Sequence, residues 1–322
     1  MKKFSIRIFI LILIISLCAT VAAATTTLIP GGQVIGMQLQ DGTVTVSAFD
    51  EDLGAAAKAA GLAKGDQILQ IDDTKIQCVQ DVRTALCKCD DRVNIRVSRN
   101  GKIKTLTMRP PLTADGPRLG IYLRQGTTGL GTVTYYDPQN GSFGALGHGV
   151  NSSDGSLLTM QSGETYPCHV FSVKKGKAGA PGQLLGSLSD PTVLGKLQKN
   201  TEQGVFGKTG NEATGDPLPV AETAEITTGP ATIRSTIGEN GLQEYSVEIL
   251  KIYPNTSGRN RNLLLKVTDT RLVETTGGIV QGMSGSPIIQ NGRLIGAVTH
   301  VLVNDPTMGY GIFIENMLDA AA

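Results

Sequence analysis

A long series of short segments with alternating apolar and polar residues constrains the fold of this 322-residue chain most. The series begins after Pro110 and Pro111 and runs to the C-terminus, with Gly, Asn and Asp at the breaks. Alternation with a period of two is typical of strands that bury one face, and consecutive prolines favour an extended connection. Residues 111–322 are therefore predicted to form an all-β pair of barrels, with short helices only at 190–198 and 314–318.

The preceding region, 25–110, mixes strands with two helical segments and is predicted to be a separate domain. Two strands are expected at 34–39 and 43–49, with a hairpin-like turn between them. An alanine-rich helix is expected at 54–60, ending at Gly61, and a second helix at 81–87. Asn100-Gly101 is a strong hairpin signal between the last two strands of the domain. Mainly β structure is thus expected in both domains.

Residues 1–24 have the pattern of a targeting segment. Basic residues at 2, 3 and 7 precede an apolar run, and Ala22, Ala23 and Ala24 offer a signal-peptidase site. The chain is therefore predicted to be exported. The apolar run also reaches the lower length limit for an uncleaved membrane anchor. Lipidation of Cys18 is disfavoured, because Leu17 precedes it where a lipoprotein signal requires a small residue.

Composition excludes some classes of function. Lys and Arg total 29 against 28 for Asp and Glu, and the basic residues are scattered, which argues against nucleic-acid binding. The remaining four cysteines lack metal-ligand spacing, and their pairing cannot be deduced from sequence. We expect neither a metal nor a cofactor.

The segment Gly282-Met283-Ser284-Gly285-Ser286-Pro287 carries the strongest chemical signal. It leads into a hairpin turned at Asn291-Gly292, the arrangement that surrounds the nucleophile of trypsin-like proteases. Ser284 is the predicted nucleophile, and the amides of Gly282 and Ser284 are the predicted oxyanion hole.

A serine nucleophile requires a base within hydrogen-bond reach, and the chain has three histidines. His148 is favoured, because glycines flank it at a strand end where its side chain can face a cleft. His300 follows the serine hairpin closely and is the alternative, whereas His169 lies within an alternating strand.

The base in turn needs a partner that fixes its tautomer. Asp269, which follows an apolar strand, is the predicted third catalytic residue, although its position before Thr270 and Arg271 also fits a local turn cap. Asp305, Asp154 and Asp137 remain open as alternatives.

The stretch AGLAKGDQILQIDD at 60–73, the preceding loop PGGQVIGM and the helix near Val79 resemble a PDZ domain of the bacterial protease type. This resemblance implies that a peptide adds as a strand beside residues 34–39, against the helix. The implied peptide-binding residues are Ile35, Gly36, Met37, Val79, Val82 and Leu86. The alternative is that the chain's own linker fills the groove.

The segments ALGHG and GIVQGMSGSPIIQNG, behind a PDZ-like domain, resemble the stage IV sporulation protein B (SpoIVB) peptidase family. The resemblance implies a trypsin-like double barrel with His148, Asp269 and Ser284 as its triad. It also implies an enzyme that cleaves itself and a membrane-bound regulator of an intramembrane metalloprotease, in the space between forespore and mother-cell membranes. That cut would lead to release of a late sigma factor. A general quality-control protease and a PDZ tether with a silent protease-like domain remain alternatives.

Overall fold

The computed structural model describes residues 26–152, 155–188, 190–210, 212–238, 241–254 and 260–322. The predicted targeting segment 1–24 lies outside this range. Within the described residues, no helix has both the length and the apolar character needed to cross a membrane.

The elements as far as the first catalytic candidate follow one another in chain order. They are β1 (Thr27–Pro30), β2 (Val34–Phe49), α1 (Ala55–Ala59), β3 (Gln67–Ile71), β4 (Thr74–Lys75), α2 (Val79–Leu86), β5 (Val93–Arg99), β6 (Lys102–Met108), β7 (Leu112–Thr113), β8 (Gly116–Pro117), β9 (Ile121–Tyr136) and β10 (Ser142–Ala145).

The remaining elements are mostly strands. They are β11 (Ser162–Lys174), β12 (Gln183–Leu188), β13 (Gly195–Thr201), β14 (Gly204–Thr209), β15 (Leu218–Pro219), β16 (Gly229–Thr236), β17 (Leu242–Ile252), β18 (Leu263–Val267), α3 (Thr270–Thr276), β19 (Pro287–Gln290), β20 (Arg293–Leu302), β21 (Asp305–Phe313) and α4 (Ile314–Ala321), with a short 3₁₀ helix at Thr223–Glu225. The predicted helix at 190–198 is wrong, because the region ends in β13, whereas the predicted C-terminal helix is confirmed as α4.

The first barrel closes through antiparallel pairings around a ring of strands. In order, β2 pairs with β9, β9 with β10, β10 with β14, β14 with β13, β13 with β11, and β11 returns to β2. Alternate residues on these strands fill its interior, including Leu39, Val133 and Val205. Closure satisfies the backbone groups on both edges of each strand in the ring.

The second barrel is also closed, in the order β16-β17-β18-β21-β20-β19. Its interior is aliphatic, with Ile233, Leu263, Leu265 and Ile288 fully buried. The predicted double barrel is therefore confirmed. The cleft between the two barrels contains both the GMSGSP turn and the segment that follows β10.

Two long strands, β2 and β9, run through both the first barrel and the PDZ domain. The first part of β2 pairs with β11 in the barrel, whereas its second part pairs with β3 in the PDZ domain, for example Val44 with Ile68. The first half of β9 likewise pairs with the PDZ part of β2, as in Tyr122 with Ala48. The predicted division into 25–110 and 111–322 follows the chain, whereas in space the barrel and the PDZ domain share strands β2 and β9. The predicted turn between 34–39 and 43–49 is also wrong, since β2 is one continuous strand with a bulge.

Candidate active site

Ser284 lies in a tight turn ahead of β19. Gly282 and Gly285 both have left-handed backbone angles, with φ of 100° and 97°. A Cβ at Gly285 would lie 2.0 Å from the carbonyl oxygen of Thr132 and 2.5 Å from the amide of Leu146. Glycine is therefore required there by close approach as well as by backbone angle.

Strand β9 of the first barrel holds this turn in place. The Thr132 amide donates to the Ser284 carbonyl at 2.9 Å, and the Thr132 hydroxyl donates to the Gly282 carbonyl at 2.7 Å. The Thr134 hydroxyl donates to the Gly285 carbonyl at 2.8 Å. Both threonines are fully buried, so these bonds form in a low-dielectric interior. Sequence reasoning missed them; the only signal was the Thr-Val-Thr alternation near the end of β9, which places both hydroxyls on the face opposite the buried Val133.

His148 follows β10 and enters the same cleft. Leu146 and Gly147 both adopt left-handed angles, which turns the chain sharply before the histidine. A Cβ at Gly147 would lie 2.9 Å from the side chains of Ile312 and Thr299, so glycine also permits close contact with the second barrel. This turn directs the histidine toward the cleft between the barrels.

The tautomer of His148 is set by its own backbone surroundings. Its Nδ1 lies 2.9 Å from the carbonyl oxygen of Gly149. Because a carbonyl can only accept, Nδ1 must carry the proton, which leaves Nε2 of the neutral ring free to accept one. Burial lowers the pKa of His148, and the bond to Gly149 only partly opposes this effect. The ring is therefore neutral at neutral pH, as a general base must be.

Ser284, His148 and Gly282 line one cavity of about 450 Å³ between the barrels. The Ser284 hydroxyl donates to the Thr299 carbonyl at 2.8 Å. Catalytic hydrogen bonds are often not formed until substrate binds, and rotation about one side-chain bond redirects this hydroxyl. Among the described contacts, neither the Gly282 nor the Ser284 amide donates a backbone hydrogen bond, which leaves both available to an oxyanion.

The two other histidines differ in position. His300 lines the same cavity, with its ring centroid 5.2 Å from that of His148. Burial, followed by the charges of His148 and Arg261, lowers the pKa of His300 to about 4. Its buried Nδ1 has no hydrogen-bond partner among the described residues. His169, on β11, is exposed and lies outside the cavity.

Asp269, the predicted third catalytic residue, does not line the cavity that contains Ser284 and His148. It caps α3, where Oδ1 accepts from the Arg271 amide at 2.9 Å and Oδ2 accepts from the Arg271 guanidinium at 2.8 Å. Oδ2 also accepts from the Ser246 amide. The hydrogen bond from Arg271 is the largest cause that lowers the pKa of Asp269 to about 2. Its carboxylate is thus committed to a structural role, the turn cap that sequence had left open.

The alternative carboxylates are also used locally. Asp305 accepts from the amide and hydroxyl of Thr307, and Asp137 accepts from the amide of Gln139 and the side chain of Asn140. Asp154 lies outside the described residues. In the part of the chain that the structure describes, the Gly149 carbonyl therefore occupies the position of the orienting acceptor for His148.

Asp269→Asn is expected to leave acylation of Ser284 nearly unchanged, because Asp269 contacts neither Ser284 nor His148. Asparagine still caps a helix, but the ion pair with Arg271 is lost, which should lower stability only slightly because the arginine is largely exposed and solvent screens the pair. The pKa of Asp269 in the folded state is depressed below its ordinary value of 3.8, so this contribution is present above that pH and disappears as pH falls through about 2. Fluorophosphonate labelling and thermal melting at several pH values measure the two effects. Loss of labelling with unchanged melting would restore Asp269 to the triad.

The predicted peptide-binding residues fall into two separate places. Ile35, Gly36 and Met37 lie on the barrel part of β2, whose two edges pair with β11 and β9. A peptide cannot add to a strand with no free edge, so this half of the prediction is wrong. Met37 instead lines the cavity that contains Ser284.

The other three, Val79, Val82 and Leu86, lie on α2 of the PDZ domain. This helix faces the first residues of β9 across a groove of about 560 Å³ that includes Leu119, Ile121 and Leu123. One edge of this part of β9 pairs with β2, and the other edge faces the helix. The groove therefore lies beside residues 121–123. The signal in the sequence was the Leu-Gly-Ile-Tyr segment at 119–122, which leads into β9 and in which Gly120 has a φ of 68°.

A double barrel with a serine and a tautomer-fixed histidine in its cleft, together with a PDZ domain, has the features of a serine peptidase. The profile of the SpoIVB peptidase S55 domain matches residues 116–318, and the profile of the PDZ domain matches residues 34–109. Because the first match covers more than half of the chain, this protein belongs to the SpoIVB peptidase S55 family.

Other proteins are similar over smaller regions. Putative zinc metalloproteases of Staphylococcus aureus, from strains N315 and COL, are 36% identical over 80 residues, which is 24% of this chain and 19% of the relatives. The chain thus spans about a fifth of the length of these curated relatives.

Solved structures with some similarity include the inactive form of the Rv3671c protease of M. tuberculosis. It is 13% identical, with a TM-score of 0.34 over 60% of this chain and 84% of that one. The human heparin binding protein is 16% identical, with a TM-score of 0.28 over 55% and 72%. These scores are low, and the fold described above depends on the strand pairings of this chain.

Proposed function

We propose that this chain is an exported serine endopeptidase of sporulation that cleaves itself and a membrane-bound regulator. One observation supports the enzymatic activity in particular. Ser284, a neutral His148 with a free Nε2, and the amides of Gly282 and Ser284 lie in one cavity. A PDZ tether with a silent domain would have no need for this combination.

In the proposed mechanism, substrate binding displaces the Ser284 hydroxyl from the Thr299 carbonyl toward His148. Nε2 takes the hydroxyl proton as Oγ attacks the scissile carbonyl, and the same nitrogen then gives the proton to the leaving amine. The amides of Gly282 and Ser284 stabilise the tetrahedral oxyanion, while the Gly149 carbonyl stabilises the imidazolium through Nδ1. Water, activated by His148, hydrolyses the acyl-enzyme in the second half of the cycle.

The biological setting is proposed from family membership. The enzyme acts between the forespore and mother-cell membranes and is tethered through residues 1–24 before processing. Its protein substrate is a regulator of an intramembrane metalloprotease, and the cut leads to release of a late sigma factor. Expression of the gene only in the forespore would support this setting. Expression throughout vegetative growth would instead favour a quality-control protease.

Self-cleavage is proposed to fall at or before Thr26. Leu28 and Ile29 are buried, and β1 pairs with β15 and β9. A cut within β1 would therefore require local unfolding, whereas Thr26 is exposed. Mixing the active chain with a full-length Ser284→Ala copy, followed by N-terminal sequencing of the products, tests both the activity and the site. Failure to trim the inactive copy contradicts cleavage in trans.

Val79→Asp is expected to lower cleavage of a protein target by tenfold or more while leaving hydrolysis of a small ester unchanged. The substitution places a carboxylate in the PDZ groove, and an apolar side chain of a bound peptide would bury this charge. A desolvation penalty of about 1.4 kcal/mol lowers the affinity for the target tenfold. Thr84→Asp, on the same helix but exposed and outside the groove, is the matched control. Equal losses on protein and ester would show that the groove is not a separate recognition site.

A further inference from the structure

A second pocket adjoins the catalytic cavity on the first barrel. It has a volume of about 370 Å³ and shares Met37, Thr128, Gly129 and Leu130 with the cavity that contains Ser284. Its outer wall is the hairpin of β11 and β12, which contributes Tyr166, Phe171, Leu184, Leu185 and Leu188. The two spaces are therefore neighbours across a common wall.

The second pocket has unusually exposed apolar walls. Phe171, Leu185 and Leu188 are 55%, 38% and 58% exposed. Single exposed apolar residues are common, but three around one concave site mark a binding surface. Leu188 also packs directly over Gly36, since a Cβ there would lie 2.1 Å from the Leu188 Cδ2.

The catalytic cavity itself is uncharged on its walls. Within the described chain, no Asp, Glu, Lys or Arg lines it, and Ile279, Val280 and Val301 form apolar surface beside Ser284. Burial lowers the pKa values of both His148 and His300, so these rings are neutral at neutral pH. A pocket that selects a basic side chain needs a carboxylate, and one that selects an acidic side chain needs a cation.

Resting on the proposed peptidase function, we propose that the substrate is an extended polypeptide segment carrying two apolar side chains, one bound in the catalytic cavity and one in the second pocket. The backbone crosses the wall formed by Gly129 and Leu130. The second pocket is thus a specificity site for a residue some distance from the scissile bond. Among the described pairings, β12 pairs as a strand only with β11, apart from a bridge at Gln183, so its outer edge also offers backbone groups to an extended chain.

The test compares one short fluorogenic peptide, with an apolar residue at the cut, against two longer versions extended by a Leu-containing segment toward either end. One extended peptide should have a kcat/KM at least about tenfold above that of the short peptide, because a large apolar side chain is buried. The double substitution Phe171→Ser and Leu188→Asn should abolish this gain without changing hydrolysis of the short peptide. Ile103→Ser with Leu112→Asn, two exposed apolar residues remote from both pockets, is the matched control.

Each contrary outcome has a separate meaning. Three outcomes overturn the second pocket as a subsite. The gain is retained in the double variant, neither apolar extension gives a gain, or Asp or Lys in place of Leu gives an equal gain. A dimer in sedimentation that the double variant disrupts shows that a second copy covers the surface and also overturns it. A folded wild-type chain that hydrolyses no peptide and takes no fluorophosphonate on Ser284 overturns the peptidase function, and the subsite with it.

Discussion

Ser284→Ala is expected to lower peptide turnover by about 10⁴- to 10⁶-fold and to abolish fluorophosphonate labelling. The hydroxyl is the only nucleophile that the Gly282–Gly285 turn presents to the cavity beside His148. The fold should survive, because the side chain is half-buried and its hydroxyl donates a single hydrogen bond among the described contacts, to the Thr299 carbonyl. Loss of that bond costs about 1 kcal/mol, visible as a small shift in thermal melting.

The same turn supplies a matched control. Ser286 is fully buried, and its hydroxyl has no hydrogen-bond partner among the described residues. Ser286→Ala should therefore leave labelling intact and leave stability unchanged or slightly raised. If Ser284→Ala still trims itself, or if Ser286→Ala rather than Ser284→Ala removes labelling, the assignment of the nucleophile is wrong.

His148→Ala is expected to have a loss of similar size, because a serine at its ordinary pKa needs a base. His169→Ala, on an exposed strand residue, is the control and should retain full activity. His300→Gln tests which of the two histidines in the cavity is the base. If His300 were the base, this variant would lose labelling and His148→Ala would retain it.

The pH profile of the wild-type chain gives an independent check on His148. The base must be neutral, and burial holds its pKa below the ordinary 6.5. As pH falls, kcat/KM should therefore remain high past 6.5 and decline only at a lower pH. A midpoint above 6.5 would indicate a carboxylate beside the ring that stabilises its charged form, and would argue against the Gly149 carbonyl as orienting group.

The PDZ groove shows why part of the site could not be predicted. The sequence placed a PDZ domain and its helix near Val79 correctly, but local alternation cannot tell which strand edge is free. Residues 34–39 have the pattern of a half-buried strand in either domain. Only the long-range pairings with β9 and β11 show that both edges are occupied.

The surroundings of Asp269 could not be predicted for a related reason. Asp269 follows an apolar strand, which fits a residue held at a barrel interface, yet the same position fits a helix cap. Arg271, two residues later, decides between the two by occupying the carboxylate. The acceptor for His148 is a backbone carbonyl, and a backbone group has no signature in sequence.

Local features could be predicted from the residues alone: strand alternation, the glycines that permit the Ser284 turn, and the chemical character of Ser284 and His148. These depend on backbone angles and side-chain type within a few residues, which sequence specifies directly. Contacts between residues 15 to 150 positions apart became visible only in the folded structure. It brought Thr132 to the carbonyl of Gly282, Thr299 to the hydroxyl of Ser284 and β9 into both domains. Such contacts form only when the two barrels close and pack, because each depends on strand register between distant segments.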